Sequence, residues 1–264
     1  MIVQDFHTHT TVCDGKADPE AMVKAAIERG VGRLGMVIHS YTFFDESYCA
    51  AQDAPQPFQQ TVAALKQKYA GQIELYCGVE QDYYSIESTE GFDYIIGSVH
   101  YLHVNGEYPP IDDCRESLVR TVNEAFGGDW YAYAEEYFRV VSDVVEKTKP
   151  NIIGHFDLCS KYNKNNDLFD ENHPRYVAAW QKAADRLLTY NIPFEINLGG
   201  MMRAGRAEPY PTLSMQRYLA EHGARVVLSS DSHTTDTLGK EFDKWKAEAE
   251  KAGFSPEQFV SLQF

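Results

Sequence analysis

A chain of 264 residues could hold one or two domains, and a (β/α) barrel of this size is ordinarily a single domain over one core. Hydrophobic residues at 44% and charged residues at 24% allow a packed interior, and no apolar run approaches the roughly eighteen residues of a membrane span. The formal charge of −15 argues against nucleic-acid binding, which needs a basic surface; a small anionic substrate stays open, because a metal cluster can reverse the field locally.

In chain order, short runs rich in Ile and Val alternate with longer stretches at helical spacing. The first strand is predicted over 2–7. Asp18-Pro19-Glu20, then Met22, Val23, Ala26 and Ile27, then Gly30, spell an N-cap, a first-turn proline, an apolar face and a glycine stop. A strand over 33–39 precedes an amphipathic helix through Phe58, Val62, Leu65 and Tyr69, closed by Gly71. Strands over 73–82 and 94–100 follow, then a helix through Tyr137, Val140, Val141, Val144 and Val145 that ends near Pro150. The strand over 151–156 leads to a helix through Val177, Trp180, Ala184, Leu187 and Leu188. The strand over 194–198 leads to a shorter one through Met215, Tyr218 and Leu219 before Gly223. A strand over 225–231 and a helix from Phe242 to Ala252 complete the series. Buried parallel strands alternating with helices predict an α/β parallel barrel, a single domain over 1–264, with an open doubly wound sheet as the alternative.

Metal-binding residue types gather at one end of these strands. His7 and His9 follow the first, His39 ends the second, Glu80 falls at the third, His100 ends the fourth, His155 the fifth, and Asp231 and His233 close the seventh. Asp5 and Asp14 flank the first. The C-terminal ends of barrel strands form the active-site face, so these residues are expected to converge. An H-x-H on a strand puts both imidazoles on one face, and imidazoles with carboxylates are the ligand set for Zn, Mn or Fe. Taken singly, His39, His100 or His155 is more often a core residue than a ligand, and a lone H-x-H is as often structural; the joint placement points to metal. The remaining histidines fall elsewhere: His103 in a loop, His173 at a helix start, His222 in a last helical turn. Five scattered cysteines without a C-x-x-C pair, and an N-terminus with no basic or apolar leader pattern, predict a reducing, cytoplasmic setting.

DFHTHT (5–10), Asp14 of CDGK, His39 of VIHS, Glu80 of GVEQDY, GSVHY around His100, IIGHFD around His155 and SSDSH around Asp231 and His233 occur in that order. Together they resemble the motifs of the polymerase and histidinol phosphatase (PHP) superfamily of metallo-phosphoesterases over essentially the whole chain. HSYTFFDESYC (39–49), EQDYYS (80–85), IIGSVHY (95–101), IIGHFDL (152–158) and PFEIN (193–197) are similar to its monofunctional histidinol-phosphate phosphatases.

The resemblance implies a distorted (β/α)7 barrel holding three divalent ions, Zn, Mn or Fe. His7, His9, Glu80 and Asp231 would hold one, Glu80, His100 and His155 the second, and Asp14, His39 and His233 the third. Asp5 would orient a ligand imidazole. The implied activity is hydrolysis of a small phosphorylated substrate, L-histidinol phosphate, with another phosphomonoester or a phosphodiester as the alternative. Three such ions among six neutral imidazoles and three carboxylates would leave the cluster at about +3, suited to a phosphate dianion. A metal-activated hydroxide would attack phosphorus in line, Asp231 or a metal-bound water would protonate the leaving group, and Arg203 and Arg206 would clamp the phosphate. Two stretches depart from the family pattern. Ile38 stands where many members carry an acidic residue or glycine, and 195–211 differs from EINTGA…RGYR at Leu198 and Gly200. Tyr41, Phe43, Phe44, Tyr83 and Tyr84 fall near the expected mouth, as core or as pocket lining.

Overall fold

The computed structural model of the protein describes residues 4–264, so Ile2 and Val3 of the expected first strand lie outside the described residues. Seven strands pair in sequential order, all parallel: β1 (Gln4–Asp5), β2 (Arg33–His39), β3 (Glu74–Asp82), β4 (Tyr94–Ser98), β5 (Ile152–Ile153), β6 (Phe194–Asn197) and β7 (Val226–Ser229). Just past the ends of β1 and β7, a parallel bridge joins Thr8 to Ser232. There the His9 amide donates to the Ser232 carbonyl at 2.7 Å and the Ser232 amide to the His7 carbonyl at 3.2 Å. The sheet therefore curls into a nearly closed barrel, and the open-sheet alternative is set aside.

Around it stand α1 (Pro19–Glu28), α2 (Pro55–Lys68), α3 (Arg115–Phe126), α4 (Trp130–Val141), α5 (Val144–Thr148), α6 (Pro174–Leu188), α7 (Gly199–Ala204), α8 (Leu213–Glu221) and α9 (Phe242–Ala252). The first helix begins as read: the Asp18 carboxylate accepts the Ala21 amide, and Pro19 opens the first turn. The helix expected through Val145 is instead two, α4 and α5. Ser142 bonds back to the Arg139 carbonyl, and Asp143 is drawn out to Tyr83 and Arg186, so the turn between them breaks. Sequence pattern missed α3 because its buried face mixes Ser117 and Thr121 with Leu118 and Val122, and its cap is the unusual Cys114. No helix of the described residues is long and apolar enough to cross a membrane, and all five cysteines are free.

Period-two alternation decides what faces inward. Leu34, Met36 and Ile38 of β2 join Leu75, Cys77 and Val79 of β3 in a core shared with α1 and α2. The intervening Gly35, Val37 and Gly78 turn into the barrel and meet Tyr94 of β4. Tyr94 is buried, donates to the Phe6 carbonyl, and stacks on the Phe264 ring at 4.7 Å. The same rows, continued upward, carry His39, Glu80, Asp82 and His100 above this aromatic floor. On the other flank, α4 packs on α6 and α8 on α9, covering Ile153, Phe194, Ile196 and Val226.

A methyl group at Gly78 would overlap the Tyr94 ring. Gly78→Ala is therefore expected to lower stability by about 1–3 kcal/mol, read as a lower urea midpoint; an unchanged midpoint would show the floor to be loosely packed.

Candidate metal centre

Glu80 occupies the centre of the upper barrel. Its Oε1 lies 3.2 Å from His100 Nε2 and 2.9 Å from His155 Nε2. Its Oε2 lies 3.2 Å from His7 Nε2, 3.4 Å from His9 Nε2 and 2.9 Å from His39 Nδ1. Asp231 Oδ1 is 3.7 Å from His7 Nε2, 3.5 Å from His9 Nε2 and 3.6 Å from His233 Nδ1. Asp14 completes the group, with Oδ1 3.5 Å from His39 Nε2 and Oδ2 3.0 Å from His233 Nε2. All the residues expected as ligands thus meet in one cluster. His155 joins it although β5 is only Ile152–Ile153, shorter than expected.

Donors about 2.0–2.1 Å from one tetrahedral ion stand about 3.3 Å apart, close to the spacings seen here. Three sets have donor atoms within 4.8 Å of one another: His9, Asp14, His39 and His233; His7, His9 and Glu80; and His39, Glu80 and His100. His39 Nδ1, Glu80 Oε2 and Asp14 Oδ1 are buried without a hydrogen-bond partner among the described residues. The first two are 2.9 Å apart yet misaligned for a hydrogen bond, as expected of atoms aimed at a shared third body.

Electrostatics point the same way. Burial opposes ionisation of Glu80, yet His7, His39 and His100 hold its carboxyl well below the usual range. Burial likewise disfavours a charged His7, but Glu195, Glu80 and Asp231 outweigh it and lift the imidazole to about 10. His9 and His100 are raised against burial too, the former beside Asp231, the latter beside Glu80 and Asp82. His233 goes the other way, to about 4, through burial and the neighbouring His9. The cluster attracts more positive charge than its own imidazoles can all carry, and its donor set is one that divalent metal ions take up.

Behind the ligands lies a layer that sequence reading did not single out. Glu195 of β6, fully buried, accepts from His7 Nδ1 at 2.8 Å through Oε2. Its Oε1 accepts the His155 amide at 2.6 Å and Asn197 Nδ2 at 2.8 Å. Asn197 Nδ2 also reaches Asp231 Oδ2 at 3.2 Å. Asp82 Oδ2 accepts the His100 amide at 3.0 Å and stands 3.2 Å from its Nδ1. The available signal was period two: Asp82 follows Glu80 on one strand face, and Glu195 and Asn197 share another. Asp5, expected to orient an imidazole, instead accepts the amides of Ser230 at 3.1 Å and His7 at 3.4 Å, and burial lifts its carboxyl to about 6. The imidazole-orienting role passes to Glu195.

A cavity of about 370 Å³ opens over the cluster, lined further by Arg203, Tyr210, Tyr48, Tyr101, Asp45 and Lys161. Arg203 Nη2 is 2.8 Å from Asp231 Oδ2, and Nη1 is 2.8 Å from His233 Nδ1. Burial would raise the Asp231 carboxyl, but Arg203 and His7 hold it well down, which suits a metal ligand. Arg206 does not come to this cavity. Its Nη1 donates to the Ser160 carbonyl at 2.7 Å and hydroxyl at 2.9 Å, and its guanidinium lies over the Tyr210 ring at 4.4 Å. The departures at 198 and 200 are packing matters: Leu198 is buried in the core, and Gly200 leaves room for the Tyr210 ring. Tyr41, Phe43, Phe44, Tyr83 and Tyr84 do not line the cavity; Tyr48, Tyr101 and Tyr210 do.

Replacing Glu195 with Gln keeps the shape but weakens the anchor of His7. Metal affinity is expected to fall roughly 10- to 100-fold, measured by competition with a chromophoric chelator, while His7→Ala should abolish one bound equivalent. Unaltered affinity in Glu195→Gln would show that backbone placement alone fixes the imidazole.

A PHP domain family model matches residues 5–198. A probable histidinol-phosphatase of Schizosaccharomyces pombe is 27% identical, over 89% of this chain and 81% of its own length. One of Deinococcus radiodurans is also 27% identical, over 90% of this chain and 89% of its own. The fold resembles the crystal structure of histidinol phosphate phosphatase from Lactococcus lactis, complexed with zinc, L-histidinol and phosphate. That likeness has a TM-score of 0.72 at 20% identity, covering 96% of this chain and 94% of the other. With the family model spanning the strands that carry most of the cluster, from Asp5 through Glu195 and Asn197, this chain belongs to the PHP domain family.

Proposed function

We propose that this protein hydrolyses the phosphomonoester L-histidinol phosphate to L-histidinol and phosphate, a step of histidine biosynthesis in the cytoplasm. The observation that carries this reading is the gathering of His7, His9, Asp14, His39, Glu80, His100, His155, Asp231 and His233 at the base of a cavity of about 370 Å³. That volume suits one small ester. The names of the relatives from S. pombe and D. radiodurans support the choice of ester. The net charge of −15 and the aspartates at the cavity wall disfavour a polyanionic chain.

Three divalent ions, Zn, Mn or Fe, would be held by His7, His9, Glu80 and Asp231; by Glu80, His100 and His155; and by Asp14, His39 and His233. Bound there, such ions would supply Lewis acidity toward the phosphate oxygens and lower the pKa of a water to about 7. The protein's own contribution is positional. Glu195 and Asp82 fix the His7 and His100 rings, and the Thr8–Ser232 bridge fixes the spacing of His7 and His9 from Asp231. Arg203 presents its guanidinium beside Asp231 and His233, where it would take phosphate oxygens. Asp231, held ionised beneath Arg203, would serve the metal centre as a ligand through Oδ1.

With metal content assayed, kcat/KM for L-histidinol phosphate is expected to exceed that for an aryl phosphate by roughly tenfold or more, with an aryl phosphodiester slower still. Parity between the first two would overturn the substrate assignment. Arg203→Ala should raise KM for the phosphomonoester by roughly 10- to 100-fold, and an unaltered KM would remove Arg203 from phosphate binding.

A further inference from the structure

Below the bridge between Thr8 and Ser232, the seam between β1 and β7 is built differently. Among the described residues no backbone hydrogen bond joins the two strands there. The segment 259–264, which follows α9, occupies the place instead. It enters parallel to β7, with Phe259 bridged to Val226 and the Val260 amide donating to the Val226 carbonyl at 2.9 Å. On its other side the Gln4 side chain acts as a strand edge. Its Nε2 donates to the Val260 carbonyl at 2.7 Å, and its Oε1 accepts the Leu262 amide at 3.1 Å. One primary amide thus takes the place of two ladder bonds.

Beyond Gln4 the segment reaches β2 and the barrel floor. Arg33 Nη1 donates to the Leu262 carbonyl at 2.6 Å, and Nη2 to the Ser261 hydroxyl. The Phe264 ring, besides stacking on Tyr94, stands edge-on to Phe6 at 5.1 Å and to Tyr76 at 5.7 Å. Just before the segment, Gln258 Nε2 donates to the carbonyls of Ala220 at 3.2 Å and Ala224 at 2.9 Å, so it is pinned on both flanks of the seam. The residues it grips lead straight to the metal centre. Phe6 adjoins His7, Gln4 lies roughly 10 Å below His7 along an extended strand, and Val226 opens the strand that leads to Asp231.

We propose that residues 259–264 form a strap that sets the width of the β1–β7 seam, and through it the distance of His7 and His9 from Asp231. This rests on the metal-centre reading above and adds what positions that centre from below. A seam bonded only at its upper end is free to splay at its lower one, tilting β1 about the Thr8–Ser232 bridge. Metal–ligand distances hold to about 0.2 Å, so a small tilt is felt at the cluster. The ion held by His7, His9, Glu80 and Asp231 would span this seam, whereas the one held by Glu80, His100 and His155 would not. The coupling is reciprocal: a strap that favours the metal-binding geometry is itself held more firmly once metal is bound.

The test compares Gln4→Leu and Phe264→Ala with a control, Leu187→Ala, at a buried position of α6. Each is measured by urea midpoint without metal and by zinc affinity in competition with a chromophoric chelator. All three are expected to lower the midpoint, but only the two strap variants to weaken zinc binding, by roughly 3- to 30-fold at one bound equivalent. Phe264→Leu should recover most of that loss. Adding His7→Ala removes the affected equivalent, and a strap substitution should then alter the remaining affinities by less than about twofold. In the unaltered protein, where no variant needs to fold, zinc should slow hydrogen exchange at the Val260 and Leu262 amides more than at those of α6. Wild-type zinc affinity in the strap variants, equal weakening by Leu187→Ala, or strap amides indifferent to zinc would each overturn the strap and leave the metal centre standing. A protein that takes up no zinc, manganese or iron overturns both.

Discussion

Glu80 is 1% exposed and has five imidazole rings within 3.4 Å of its oxygens. A carboxylate taken this far from water persists as an anion only with positive charge beside it. In the protein alone that charge comes from protons on His7, His9 and His100, whose affinity for them is raised. The arrangement is self-limiting, because burial, and then the charge on His9, push His39 and His233 toward neutrality. Divalent ions relieve this by placing more charge on fewer centres, and metal uptake and proton release are then two sides of one equilibrium.

The architecture serves that constraint by spreading the ligands over nearly every strand end. No single local segment fixes the site; the barrel does. Its closing seam runs through the ligands themselves, since the backbone of His7 and His9 bonds to Ser232, next to Asp231 and His233. Glu195 then ties the His7 ring, just after β1, to the His155 backbone, just after β5, and Asn197 extends the tie to Asp231. Ring orientation is therefore decided by hydrogen bonds made on the far side of each imidazole.

The sequence showed the ligands well and their supports poorly, for a physical reason. Histidines at successive strand ends are rare residues in a repeated position, so their convergence could be read without coordinates. Asp82 lies two residues past Glu80 on β3 and Glu195 on β6, which carries no ligand, and an acidic residue on a buried face is meaningful only once its partner is known to lie opposite. Asp5 illustrates the converse: its position beside His7 suggested an imidazole partner, and the backbone of Ser230 claimed it instead. Arg206 follows Arg203 by only three residues, yet Arg203 lies in the last turn of α7 and faces the cavity, while Arg206 comes after the Gly205 stop and packs on Tyr210. The helical period ends at Gly205, so spacing alone could not place the second guanidinium. The strands and most helices followed their apolar spacing, while α3, with hydroxyls on its buried face, did not announce itself.

The aromatic floor carries a consequence for how this sequence can drift. Tyr94 occupies space that Gly35 and Gly78 leave open on two neighbouring strands, so the three positions share one volume. A larger residue at either glycine is admissible only after the ring at 94 has shrunk, and a smaller residue at 94 leaves a void until a glycine has grown. Neither first step is neutral. The three positions should therefore change together or not at all, and the effect of substituting any one of them should depend on the state of the other two.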